Sequence, residues 1–218
     1  MKKKFLILMF ACISLFVLGI VNVSAETYGD LSYSIENGSV TITGCKNTAT
    51  NIVIPEKIEN CPVTSIGVDA FENCSNLTEI NIPDGVINIG GYAFCNCSSL
   101  ISVTIPDSVT TIDGHAFRNC SSLTSITIPD SVTTIGPSAF ANCSNLTGIN
   151  IPDRITTIGD SAFNGCRGLT SITIPDSVTS IGNFAFSNCR GLTSITIPDS
   201  VTRISDGVFS GCSSLTSI

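Results

Sequence analysis

The sequence predicts a repeat solenoid, and three observations predict it. Four residue types recur with one shared spacing of 23: Phe71 to Phe209, Cys74 to Cys212, Leu77 to Leu215 and Pro83 to Pro198. Between successive marks the apolar residues fall in the same order each time. The composition is rich in Ile, Val, Thr, Ser, Asn and Gly, contains no Trp and is only 12% charged. Such a chain is too apolar for disorder, and its β-branched, turn-rich character favours strands and corners. A fixed period of roughly 20–50 residues is the signature of stacked supersecondary units.

The N-terminus stands apart from this pattern. Lys2, Lys3 and Lys4 form a basic start, Phe5 to Val21 is an apolar stretch, and Val23-Ser24-Ala25 is a small-residue cleavage signal. Residues 1–25 therefore read as a Sec-type signal peptide cut after Ala25. A retained membrane anchor is the alternative, since the apolar run approaches the length a span needs. A lipoprotein reading would use Cys12, but only Phe5 to Ala11 precede it. Seven basic residues remain against 17 acidic ones once Lys2, Lys3 and Lys4 are gone, a net charge near −10. That balance disfavours nucleic acid and anionic membrane as partners. No second apolar run is long enough to enter a membrane after cleavage.

Residues 26–48 precede the repeats. Ser32 to Ile35, the turn Glu36-Asn37-Gly38-Ser39 and Val40 to Thr43 read as a β-hairpin, because Asn-Gly supplies the positive φ angles of a tight hairpin turn. Such a hairpin would cap the apolar end and open strand edge of the first coil.

Residues 49–218 hold the solenoid. The first unit is divergent. Pro55 to Pro83 spans 28 residues, so it carries a five-residue insertion around Glu59 to Val63. Six full units follow, from Leu77 to Ser214, and a stub, Leu215 to Ile218, ends the chain. In the unit Leu123 to Asn145, Leu123, Ile126 and Ile128 alternate as one face of a strand. Pro129 ends it, because proline cannot donate to a ladder. Pro129-Asp130-Ser131 makes a corner, and Val132 to Ile135 is a second short extended segment. Gly136 turns the chain. Ser138 to Asn142 is expected as a single helical or 3₁₀ turn that drops Phe140 inward. One unit is too small to fold alone, so each must bury the apolar edge of its neighbour and share backbone bonds with it.

The L-x-x-I-x-I strand resembles that of the leucine-rich repeat. The rest of the unit, P-D-S-V-T-x-I-G-x-x-A-F-x-N-C, resembles the BspA-like subfamily of bacterial surface and secreted proteins. The match runs over about residues 49–218, and Tyr28 to Cys45 resembles the N-terminal region of that family. The resemblance implies a leucine-rich-repeat-type right-handed coil with one parallel β-strand per repeat. It also implies a binding role, namely adhesion to host or neighbouring-cell proteins such as extracellular matrix.

Candidate chemistry is sparse. The seven cysteines in register have no zinc-like spacing and no partnering histidine, and stacked parallel side chains point the same way rather than at each other. They read as small buried hydrophobes, each with a weak donor reaching a corner carbonyl. Cys45 and Cys61 lie outside the ladder in the cap region and form the candidate disulfide. Cys95, beside Cys97, reads as a free, partly exposed thiol. Asp84, Asp107, Asp130, Asp153, Asp176 and Asp199 admit a calcium reading. However, one carboxylate per coil supplies few of the oxygens a calcium ion wants, so these residues read as turn aspartates bonding nearby amides. His115 is the only histidine and has no recurring acid or nucleophile beside it. Asn73, Asn76, Asn96, Asn119, Asn142 and Asn145 begin N-x-S/T sequons, which a bacterial chain would carry by coincidence. No metal, cofactor or catalytic residue is expected, and the chain does not read as an enzyme.

The outward strand positions are the candidate binding residues: Glu79, Asn81, Ser102, Thr104, Ser125, Thr127, Asn150, Ser171, Thr173, Ser194 and Thr196, with Gly148 in the same series. The expected function is an exported or cell-surface binding module that meets a protein partner. The competing reading is a structural spacer that presents another domain. The chain stops inside a strand, so its C-terminal end is expected to pair with further repeats or a partner.

Overall fold

The structure, a computed structural model, describes residues 26–218. The expected signal peptide lies outside the described residues. The fold is a β-solenoid of about seven turns of the leucine-rich-repeat type.

The chain opens with three antiparallel strands, β1 (Glu26–Tyr28), β2 (Leu31–Glu36) and β3 (Ser39–Cys45). The β2–β3 turn has Asn37 at φ 50° and Gly38 at φ 77°, the doubly positive pair of a primed hairpin turn. The first coil then gives β4 (Asn51–Val53), β5 (Lys57–Ile58) and β6 (Cys61–Ile66). The five inserted residues form a small hairpin: β5 pairs antiparallel with β6 across Glu59 and Asn60, both at positive φ.

Later coils each contribute two short strands. In order these are β7 (Glu79–Asn81) and β8 (Asn88–Ile89), β9 (Ser102–Thr104) and β10 (Thr111–Ile112), and β11 (Ser125–Thr127) and β12 (Thr134–Ile135). Next come β13 (Gly148–Ile149) and β14 (Thr157–Ile158), then β15 (Ser171–Thr173) and β16 (Ser180–Ile181), and finally β17 (Ser194–Thr196).

Like strands stack into two parallel sheets. The I-x-I strands run β4-β7-β9-β11-β13, continued by β15-β17, with an Asn150–Thr173 bridge between the two parts. The second extended segments are ladder strands in their own right, β6-β8-β10-β12-β14-β16. The cap joins this second sheet through β3, which pairs parallel to β6. It therefore covers the edge of the second sheet, while β4 remains the end strand of the first.

The expected helical turn does not occur; no helix is found among the described residues. Between Gly136 and Cys143 the amides alternate. Ala139, Ala141 and Cys143 donate three residues back, to Gly136, Ser138 and Phe140. Ser138, Phe140 and Asn142 donate to Asp160, Ala162 and Asn164 of the next coil, at 2.8, 2.9 and 2.6 Å. A helix aims every N–H along one axis and leaves none for a neighbour. Ser138 and Asn142 sit at φ 54° and 60°, which breaks any helical run. The segment is thus a third strip of coil-to-coil bonding.

Between the strips lies one continuous core. Phe71, Phe94, Phe117, Phe140, Phe163 and Phe186 are all fully or almost fully buried. Their rings stack with centroids 5.1–5.6 Å apart and planes within 9°. Serine and threonine hydroxyls fasten adjacent coils, as in Ser131 Oγ to Val109 O at 2.6 Å and Thr147 Oγ1 to Thr124 O at 3.2 Å. At the P-D-S corner, the Val132 amide donates to Pro129 O and the serine bonds the coil before. These bonds close the corner, whereas the aspartates stand exposed at its rim.

Candidate functional site

The first sheet positions the predicted binding face. Glu79, Asn81, Ser102, Thr104, Ser125, Thr127, Gly148, Asn150, Ser171, Thr173, Ser194 and Thr196 are all exposed. Each pair flanks a buried Ile or Val, because successive side chains on a strand point to opposite sides. Register carries like residues onto like: Ser102 faces Ser125, Thr104 faces Thr127, and Ser171 faces Ser194. Rungs repeat at roughly 4.7–4.9 Å, as strands in one sheet do. Glu79 is the one charged member, and its Oε2 accepts a bond from Asn51 Nδ2 at 3.2 Å. The face is flat, extended and almost free of charge.

A second surface was not singled out from sequence. Asn73, Asn96, Asn119 and Asn142 form an amide ladder along the outside of the third strip. Asn96 Nδ2 donates to Asn73 Oδ1 at 2.8 Å, Asn119 to Asn96 at 2.7 Å, and Asn142 to Asn119 at 2.9 Å. Beside it run Ser75, Ser98, Ser121 and Ser144, and together they line an open groove of about 750 Å³. Gly165 ends the amide ladder, and Arg167 stands where the serines stood. All four asparagines have φ near 60°, a backbone position that asparagine tolerates better than most residues. The recurring N-C-S was the available signal. The repeat of those asparagines has a structural cause in backbone angle and amide pairing.

From Cys97 to Cys212 the cysteine ladder is inert. Cys97 Sγ donates to Phe71 O at 3.1 Å, and the same bond recurs from Cys120 to Phe94, Cys143 to Phe117, Cys166 to Phe140, Cys189 to Phe163 and Cys212 to Phe186. Burial pushes the thiols of Cys120, Cys143 and Cys166 well above their ordinary value, and that of Cys189 up to about 12. Neutral, bonded thiols are poor nucleophiles and poor metal ligands. Among the described residues no three His, Cys, Asp or Glu side chains converge as a metal site.

Three expectations about individual side chains need correction. Cys45 and Cys61 are not brought together. β3 and β6 run parallel with Val40 opposite Val63 and Ile42 opposite Ile66. Cys45 ends one strand and Cys61 starts the other. They lie on the order of 20 Å apart at the usual rise of a strand, far beyond disulfide reach. Cys45 instead meets Cys74, with Sγ atoms 2.6 Å apart. Cys95 is buried rather than partly exposed, at 4%, and burial, then Glu72, pushes its thiol up. The corner aspartates are not what closes their turns, since the proline carbonyl does that work.

His115 stacks on Tyr92 with ring centroids 4.4 Å apart. Its Nδ1 is buried without a hydrogen-bond partner. Burial, then the nearby Arg118 charge, holds the imidazole below its ordinary value. No carboxylate or thiol bonds this ring among the described residues, so it lacks the partners a catalytic histidine uses. At the cap, Tyr33 Oη lies 2.9 Å from Glu26 Oε2 and 3.0 Å from Glu59 Oε1. This hooks the inserted hairpin to the cap.

The BspA type leucine-rich repeat region matches in six copies over residues 43–167 and 133–218. A leucine-rich repeat protein of T. pallidum is 30% identical with a TM-score of 0.81, over 88% of this chain and 91% of that one. A leucine-rich repeat protein of Bacteroides ovatus is 29% identical with a TM-score of 0.54, over 87% of this chain and 69% of that one. A leucine-rich cell surface protein of Faecalibacterium prausnitzii, 23% identical, shares the fold with a TM-score of 0.54 over 89% and 94%. No curated protein sequence matches the chain.

Proposed function

The chain belongs to the BspA-type leucine-rich-repeat family, and from that premise we propose that it is an exported, cell-surface or secreted binding module that contacts a protein through its repeat surface. The family is one of bacterial surface proteins. No described helix is long and apolar enough to cross a membrane.

The observation that carries this reading is the exposed face of the first sheet. From Glu79 to Thr196 it presents hydroxyls and amides at one fixed interval, with nothing charged after Glu79. Such a face lacks the Trp, Tyr and Arg anchors that concentrate binding energy. Many weak equivalent contacts along the axis then supply the affinity, and it grows with the number of coils engaged. The structural-spacer reading keeps one observation in its favour: neighbouring units are nearly identical and their outward side chains small. No catalytic step is assigned, because no titratable pair converges on this face.

The test immobilises residues 26–218 and measures binding to extracellular-matrix proteins and to whole cells. Deleting two internal units lowers affinity stepwise if the face binds, and shortens reach alone if the chain is a spacer. Replacing Thr104 and Thr127 by Glu weakens retention without unfolding the chain. Failure to bind any matrix protein or cell, where an established adhesin binds, refutes the proposal.

A further inference from the structure

The cysteine ladder has one irregular rung, and it lies at the bottom. Each thiol from Cys97 to Cys212 rests on the carbonyl of the phenylalanine in the coil below. Cys74 is the first of the series, and the cap lies beneath it instead of a phenylalanine. The atom that meets its sulfur is Cys45 Sγ, at 2.6 Å. Both residues are fixed independently of this contact. Cys45 ends β3, which is paired on one side with β2 and on the other with β6, and the next residue, Lys46, donates its amide to Asp30 O at 2.9 Å. Cys74 donates its amide to Phe71 O at 3.1 Å and accepts the Leu77 amide through its own carbonyl. Two separately anchored backbones thus bring two sulfurs to near bonding distance, and a side-chain shift of about half an ångström joins them.

We propose that Cys45 and Cys74 form a disulfide that clasps the N-terminal cap to the first coil. Nothing else in the ladder can do the same, since every other thiol has a carbonyl where Cys74 has a thiol. The hydrogen bond between the two sulfurs also favours the thiolate at Cys74 and disfavours it at Cys45. The reaction is thiol–disulfide exchange with a small external disulfide. One protein thiolate attacks a sulfur of that disulfide, breaking its S–S bond and releasing one thiol. The second protein thiolate then attacks the mixed disulfide at the protein sulfur, forming Cys45–Cys74 and releasing the second thiol. The two electrons and two protons lost by the cysteines leave on the two small thiols. Cys45 is only half-buried, which gives the reagent access.

The clasp closes the loop that holds β4, the inserted hairpin and all of β6. That part of the solenoid lacks the 23-residue consensus, and β4 is the uncovered end strand of the first sheet. A crosslink here restrains the segment that repetition stabilises least. The expectation that such an oxidant is met outside the cytoplasm rests on the export reading above; the geometry of the pair does not.

The test treats residues 26–218 with glutathione disulfide, alkylates free thiols in denaturant, and maps the chain by mass spectrometry after cleavage at Lys46, Lys57 and Glu72. The expected product joins the peptide of Cys45 to that of Cys74, with the other eight cysteines alkylated. It persists in Cys61→Ser and disappears in both Cys45→Ser and Cys74→Ser. Hydrogen exchange gives a second readout on the unsubstituted chain: reduction speeds exchange at β3 amides at least roughly tenfold and leaves β11 unchanged. Alkylation of both Cys45 and Cys74, a crosslink lost in Cys61→Ser, or exchange at β3 indifferent to reduction overturns the proposal. A crosslink that forms with glutathione disulfide in a chain recovered only from the cytoplasm, with its thiols reduced, supports the clasp and counts against export alone.

Discussion

Replacing Phe140 by Ala measures how much one rung of the core holds. Phe140 is fully buried between Phe117 at 5.5 Å and Phe163 at 5.6 Å, with ring planes within 3° on both sides. The flanking rings belong to coils fixed by their own backbone bonds, so they cannot close over the gap. Truncating a buried Phe typically costs about 3–5 kcal/mol, the upper part of that range applying where the site does not collapse. A loss of about 4–5 kcal/mol is therefore expected. Phe209 is the control. It is partly exposed and has one stacked neighbour, Phe186, at 6.1 Å, so Phe209→Ala should cost about 1–2 kcal/mol. The assay is urea unfolding of residues 26–218 followed by circular dichroism, with both variants fitted by the same nearest-neighbour treatment. A middle rung couples two interfaces and an end rung one, so the ratio of costs matters more than either value. Equal costs for the two variants would refute the account of the core as a stack of mutually supporting rungs.

Alkaline stability follows from the buried thiols of Cys120, Cys143 and Cys166, which keep their protons in the fold. In the unfolded chain each ionises near pH ~8.5, so above that pH the unfolded state binds fewer protons and stability falls by about 1.4 kcal/mol per pH unit per thiol. Below it these groups contribute no slope. Urea midpoints across this range should fall steeply, and Cys143→Ala should remove about a third of the three-thiol slope. At the amide ladder, Asn119→Ala should cost about 1–2 kcal/mol, because it loses two side-chain bonds and keeps a residue at φ 61° that alanine disfavours. Asn119→Gly should cost less in the same melting experiment, as Gly165 and Gly211 already hold that position at φ 74°. Removing Leu123 to Asn145, one full period, should leave a folded chain by circular dichroism, whereas removing 20 residues from the same place should not. Survival of the shorter deletion would contradict the register argument.

Much of this fold was legible because one unit was written many times. Repetition separated residues that must pack from residues free to vary, so Phe140, Ile126, Ile128 and Cys143 declared themselves as core without any structure. The outward pair Ser125 and Thr127 followed from strand alternation alone. The helical turn misled because Ser138 to Asn142 is short and carries no residue that forbids a helix. Its amides had a choice between bonding locally and bonding the next coil, and only stacking made the second choice available. The cap's hairpin was readable from Asn37-Gly38, but its docking to the second sheet was not, because β3 pairs with a strand that the insertion lengthens beyond the repeat pattern.

The sequence by itself determined the period, the stacking of like strands and the inward face of the repeat strands, since those depend on spacing along one chain. Tertiary structure alone decided which unlike elements meet. It set Cys45 against Cys74 rather than Cys61, buried Cys95, and gathered Asn73 to Asn142 with the serines into a groove. Those contacts join residues from different coils or from cap and coil, and their partners are fixed by stacking direction and strand register. A linear spacing records neither where the pattern starts nor where it breaks.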